Sequence, residues 1–172
     1  MIRPPRLRIR HLLSVVALAA APLALAAAPA SADGTHADLR CTITQVNDII
    51  PPVTMEFRNS SSSTRGLTGT ADCTGTIDGY ELIGTGKFGG YAQGFENCIA
   101  GSGQTISILQ FQTTGGIKTV VANSTYYYDN TLGISGYNGE MTSKDYLLSA
   151  DGDCVNTPLS HTTWLSIGTI VT

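Results

Sequence analysis

The chain has 172 residues, with four cysteines, 19 glycines, one tryptophan and a formal net charge of −3. All 13 acidic residues but only six of the ten basic ones lie beyond residue 32, which leaves that part of the chain at −7. Such an acidic body disfavours nucleic acid, anionic lipid and polyanionic wall polymers as main partners. Its length suits one domain with a single core.

The chain begins with a basic cluster (Arg3, Arg6, Arg8, Arg10), followed by an apolar run from Leu12 to Ala28 and the small-residue triplet Ala30-Ser31-Ala32. That order is a secretory signal, with cleavage expected after Ala32. Residues 1–32 are therefore the signal and 33–172 the domain, secreted and extracellular. Pro22 and Pro29 interrupt the apolar segment, and no other run approaches the length of a membrane span, so no stable membrane insertion is expected after cleavage. An even cysteine count in an exported chain predicts two disulfides. Of three possible pairings, Cys41–Cys73 with Cys98–Cys154 joins successive segments without crossing.

From there the chain predicts strands and turns. Residues 33–38 are expected to form a tail. Leu39–Val46 alternates, with Leu39, Cys41, Ile43 and Gln45 on one face. Pro51-Pro52 predicts a break, and Val53–Phe57 a resumed strand. Asn59–Thr64 is serine-rich and is expected to be a solvated loop. Gly66–Thr76 carries Cys73 in a strand, Asp78-Gly79 predicts a hairpin turn, and Tyr80–Phe88 returns until Gly89-Gly90 ends it. Tyr91–Ile99 follows, and Gly101-Ser102-Gly103 predicts another turn. Thr105–Gln112 is a strand whose apolar phase slips between Ile108 and Leu109, predicting a bulge or burial on both faces. Gly115-Gly116 turns into Ile117–Tyr128. Asp129-Asn130 and Asp151-Gly152-Asp153 are turns around two shorter strands, and Leu159–Val171 closes the chain. The fold class is all-β, an antiparallel β-sandwich or a closed barrel of about nine or ten strands.

Chemistry is sparse. His161 could serve Ser/His/Asp catalysis, but alternation along a strand sends Ser160 to the face opposite His161, and no G-x-S-x-G elbow occurs. Nothing brings two of Glu56, Glu81, Glu96 and Glu140 together as a glycosidase pair, although Glu56 and Glu81 could share a cleft. The Asp129-Asn130 and Asp151–Asp153 turns offer oxygens to calcium but lack the full loop pattern. No catalytic residue, cofactor or metal site is assigned.

Tyr126-Tyr127-Tyr128 is the most distinctive run, with Tyr126 and Tyr128 on one face and Tyr127 on the other. Together with Tyr137 it makes a candidate binding surface, expected as an exposed aromatic patch. The last strand has no charged residue after Asp153, so it could present an open edge to a partner or be covered within the fold. Asn59–Thr64 and Gly89–Asn97 are candidate inhibitory loops.

Ala30-Ser31-Ala32, Cys73-Thr74-Gly75-Thr76 and Cys98 followed by Gly101-Ser102-Gly103 carry a likeness of layout. In these the chain resembles small exported two-disulfide β-sandwich proteins of high-GC filamentous bacteria. The resemblance implies a protease inhibitor or an adaptor subunit of a secreted toxin particle. The expected function is non-enzymatic contact with an extracellular protein. The alternative is a small extracellular hydrolase or carbohydrate-binding module.

Overall fold

The computed structural model describes residues 35–172. The expected export signal and its cleavage point lie outside them. The described chain is all β: β1 (Ala37–Val53), β2 (Arg58–Ser63), β3 (Gly69–Ile77), β4 (Tyr80–Glu96), β5 (Ala100–Thr113), β6 (Gly116–Asp129), β7 (Ile134–Gly139), β8 (Met141–Ala150) and β9 (Leu159–Val171). Every ladder is antiparallel and all nine strands belong to one sheet, in the order β7-β6-β5-β4-β2-β1-β9-β8. β3 shares the position of β2: it pairs with the first half of β1 and with β4, whereas β2 pairs with the second half of β1. No helix among the described residues is long and apolar enough to cross a membrane.

Of the two architectures open from the sequence, the single sheet corresponds to the barrel. From β4 to β7 each strand pairs with its neighbour in sequence, and β9 returns to lie beside β1. The two ends of the sheet, β7 and β8, are separated in sequence only by Glu140. Side chains close their seam: the Tyr137 amide on β7 donates to Ser143 Oγ on β8 (3.3 Å), and beside it the Met141 amide on β8 donates to Ser124 Oγ on β6 (2.8 Å). β9 is flanked by β1 and β8 on its two sides, so it presents no open edge.

Both disulfides pair as expected. Cys41 and Cys73 face each other across β1 and β3, with Cα atoms 4.1 Å apart. Cys98 and Cys154 join the β4–β5 and β8–β9 loops, with Cα atoms 6.1 Å apart. The alternation of Leu39, Cys41, Ile43 and Gln45 also holds, all four being buried.

Several boundaries differ from expectation, each for a local reason. Pro51 and Pro52 do not break β1. They sit where neither β2 nor β9 pairs with it, so no ladder amide is missed. Residues 54–57 form the following loop. The serine-rich segment is strand β2, because Ser60 faces inward and donates to the Glu96 carboxylate. Gly89-Gly90 lies inside β4: a side chain at Gly89 would strike the Gly66 carbonyl and Leu67 where the β2–β3 connection passes over it. Gly101–Gly103 belongs to β5. Neither candidate inhibitory loop is therefore a loop. In β5 the alternation is regular, with Ile106 and Ile108 exposed. The register shift falls on β4, between Ile83 and Lys87.

The inner faces of the strands change character along the barrel. On β6 the inward column reads Val120, Ala122, Ser124, Tyr126, Tyr128. On β1 it reads Leu39, Cys41, Ile43, Gln45, Asn47, and on β4 Phe88, Gly90, Ala92, Gly94, Glu96. One half is an apolar core around Phe88, Leu109 and Phe111. The other half is aromatic and polar, and it opens at the end that carries the 54–57, 97–99, 130–133 and 151–158 loops.

Candidate functional site

The open half of the barrel encloses a cavity of about 100 Å3. Tyr126, Tyr128, Tyr137, Trp164 and Leu147 supply aromatic and apolar wall, and Glu96 and Asp145 supply two carboxylates. An eight-stranded barrel is about the size that can hold one small ligand, and here eight strand positions surround the space, with β2 and β3 sharing one.

Glycines seat the tyrosines. On β5, Gly101 and Gly103 lie beneath the rings of Tyr128 and Tyr126, and a Cβ at Gly103 would stand 2.6 Å from the Tyr126 ring and collide with the Gln93 carbonyl. Gly103→Ala is therefore expected to cost about 1–3 kcal/mol through overpacking, measured by chemical denaturation. A midpoint unchanged from the parent would show that Tyr126 is not seated on β5.

Hydrogen bonds fix the ring tips. Tyr126 donates to Glu96 Oε2 at 2.9 Å, Tyr128 donates to the Asn97 carbonyl, and Gln45 Nε2 donates to the Tyr137 hydroxyl at 3.1 Å. Burial first, and then the negative charge of Glu96, pushes the Tyr126 and Tyr128 phenols well above their ordinary range. They therefore remain neutral donors at any physiological pH. The Trp164 indole donates to Thr162 Oγ1 at 3.0 Å.

The tyrosine run alternates as the sequence implies, but the surface it makes differs. Tyr126 and Tyr128 turn into the mouth beside the buried Tyr137, so the aromatic surface is concave and internal instead of an outer patch. Tyr127 is 40% exposed. The inward direction was available only through the glycines opposite, whose spacing in Gly101-Ser102-Gly103 looks like a turn.

Asp145 has no counterpart in the sequence reading. It lies on the inner face of β8, where Ser143 Oγ donates to it at 2.7 Å. Burial raises its pKa above the usual carboxylate value of 3.8. A carboxyl raised in this way favours the fold while protonated, below about pH 4, and that contribution is lost as the pH rises through its folded value. Asp145→Asn removes the loss. The variant is expected to be the more stable protein at pH 7, with the difference closing as the pH falls below 4 in parallel urea titrations. A gap independent of pH would contradict the assignment.

The loops of the mouth are tied to one another. Cys98 N–H donates to the Thr54 carbonyl (2.9 Å), Asn97 Nδ2 to the Met55 carbonyl (3.1 Å) and Asn130 Nδ2 to the Cys98 carbonyl (2.7 Å). The turn carboxylates considered for calcium serve their own backbone. Asp153 Oδ1 accepts from the amides of Val155, Asn156 and Thr157, and Asp129 Oδ1 from those of Thr131 and Leu132. Among the described residues no group of three or more His, Cys, Asp or Glu is placed to hold a metal ion.

His161 stands at the rim. Contrary to strict alternation, Ser160 Oγ comes within 3.1 Å of His161 Nδ1, because the Asp151 carboxylate gathers both residues: it accepts from their two amides and from the Ser160 hydroxyl. His161 Nδ1 also lies 2.9 Å from Asp151, and Nε2 3.0 Å from Asp48, itself bound by Arg65. Both ring nitrogens thus face carboxylates, and the Ser160 hydroxyl donates to Asp151. These bonds hold the Asp48 and Asp151 carboxyls below their usual range, Arg65 having the largest influence on the first and Ser160 on the second. Glu56 and Glu81 share no cleft: Glu56 is in a mouth loop, and Glu81 lies beside the Asp78-Gly79 turn at the other end.

Fold and site together define a rolled antiparallel sheet with an apolar core at one end and an aromatic, acidic mouth at the other. Compared with models of protein families, with curated proteins and with solved structures, the chain matches none.

Proposed function

We propose that this is an exported, non-enzymatic binding protein that engages an extracellular protein at the mouth of its barrel. The observation that carries the reading is the cavity, open among loops that are bound to one another by hydrogen bonds and a disulfide. Rigid, concave, aromatic sites of this kind suit recognition. The rim favours a macromolecular partner. Each of the four loops exposes at least one apolar side chain: Met55 and Phe57, Ile99, Leu132, Val155. Phe57 also stacks on Phe95 with ring centroids 5.4 Å apart, although both remain more than half exposed. Exposed apolar side chains gathered at a cavity mouth are in keeping with an interaction site. The disulfides are in keeping with an oxidising, extracellular setting.

The test is affinity capture from the producer's culture medium with the oxidised domain and two variants as bait. Ala92→Phe fills the cavity from β4, and the pair Leu132→Asp, Val155→Asp breaks the apolar rim. A partner held by the parent and by an outer-surface control, Ile117→Asp, but lost by both mouth variants is the expected result. A partner held equally by all four would place recognition elsewhere.

A further inference from the structure

We propose that the cavity receives the ammonium group of a lysine side chain presented by the protein partner. The inference rests on the binding reading above and names the chemistry of its site.

The cavity is electrostatically incomplete. Its wall contains two carboxylates and no lysine, arginine or histidine. Glu96 is only 6% exposed, and the bonds it accepts come from neutral hydroxyls, those of Ser60 and Tyr126. Asp145 is likewise held by the Ser143 hydroxyl. Neither carboxylate enters an ion pair among the described residues. Arg58 lies directly opposite Glu96 in the β2–β4 register, but its guanidinium donates to Thr54 Oγ1 and forms no ion pair with the Glu96 carboxylate. Buried carboxylates are ordinarily paired, because desolvation without a counter-charge is costly. An entering cation supplies the missing partner.

The remainder of the wall suits the same guest. The faces of tyrosine and tryptophan rings attract cations, and Trp164 and three tyrosines surround the space. An apolar cavity of about 150 Å3 takes benzene, so about 100 Å3 admits an alkyl chain with a compact head and excludes a nucleotide or a saccharide chain. The acidic body draws cations towards the opening. The apolar rim on all four loops points to a lysine carried on a protein surface in preference to a free amine.

Trp164 is the sole tryptophan and lines the cavity, so its emission reports occupation. The oxidised chain is titrated at constant ionic strength with n-butylammonium, with 1-butanol as its neutral counterpart, with glucose, and with the peptides Gly-Gly-Lys-Gly-Gly and Gly-Gly-(Nε-acetyl-Lys)-Gly-Gly. Saturable binding of n-butylammonium and of the lysine peptide is expected. 1-Butanol and the acetylated peptide should bind about tenfold or more weakly, as should the lysine peptide to Glu96→Gln. Asp145→Asn provides a second reading should Glu96→Gln fold poorly, as judged by circular dichroism. Equal binding of the neutral compounds, or preferential binding of glucose, overturns the ammonium assignment. Uptake of n-butylammonium with refusal of the lysine peptide overturns the protein-borne source. If no probe binds while Ala92→Phe still abolishes capture, the mouth remains the docking site and only the lysine inference fails. If no probe binds and capture is unaffected, both fail.

Discussion

Replacing Cys98 and Cys154 together by alanine is expected to lower the unfolding free energy by about 4 kcal/mol and to loosen the mouth of the barrel. The bridge closes a loop with a sequence separation of 56 residues, for which the chain-entropy argument gives that magnitude. It is a large share of the roughly 5–15 kcal/mol by which most domains are stable. The Cys41–Cys73 bridge, with a separation of 32, should contribute nearly as much, about 3.5–4 kcal/mol. The two bridges differ in what they hold. Cys41 and Cys73 are already register partners in the β1–β3 ladder, so their loss leaves the folded geometry supported by the sheet. Cys98 and Cys154 lie in separate loops, and the Cys98 backbone and the Asn97 side chain tie that junction to the 54–57 and 130–133 loops. Guanidinium titration of the two double variants should therefore show similar losses. Only the Cys98/Cys154 variant should shift Trp164 emission in the folded state and admit protease cleavage within 151–158. Equal changes in emission from both would show that the bridge does not shape the mouth.

How much of this was legible in the sequence depends on which force decided each element. Alternation read correctly where one face is buried in apolar core. Leu39 to Gln45 on β1 have the expected faces, because a slip of one residue would expose the apolar set, and β9 has the expected bounds. The Asp78-Gly79 and Gly115-Gly116 turns were legible because their backbone conformations demand those residues: Asp78, Gly79 and Gly116 all have positive φ. The signal failed in the open half, where the same residue types do other work. Serines in β2 look like a solvated loop, yet there they line a polar interior. Gly89, Gly101 and Gly103 look like punctuation, yet they make room for a crossing segment and for tyrosine rings. Tyr126 and Tyr128 were singled out as a candidate surface without their direction, and Glu96 was seen only as one of four glutamates. Asp145, on a strand with Lys144 and Tyr146 facing out, carried no signal of its inward position. The open half of the barrel departs from the pattern of an apolar core because its interior is aromatic and polar.

That division predicts a separation of stability from recognition within one barrel. Phe88 is 1% exposed and stands between Gly69 on β3 and Leu109 on β5 in the apolar half. Phe88→Ala should cost about 3–5 kcal/mol, the lost transfer energy of the ring plus the cavity it leaves. β-strands on both sides prevent collapse into that space, which favours the upper part of the range. Trp164 is the larger side chain, but its ring borders an open cavity and remains partly in solvent, so Trp164→Ala should cost only about 1 kcal/mol. Partner capture should show the reverse order. The fraction of Phe88→Ala that remains folded should retain the partner at near-parental affinity, because no mouth residue is touched, while Trp164→Ala should lose it despite being almost fully folded. Denaturant midpoints and capture, measured on the same preparations, decide the matter. If Trp164→Ala proved as destabilising as Phe88→Ala, the mouth would be part of the core, and the two halves of the barrel would not be separable.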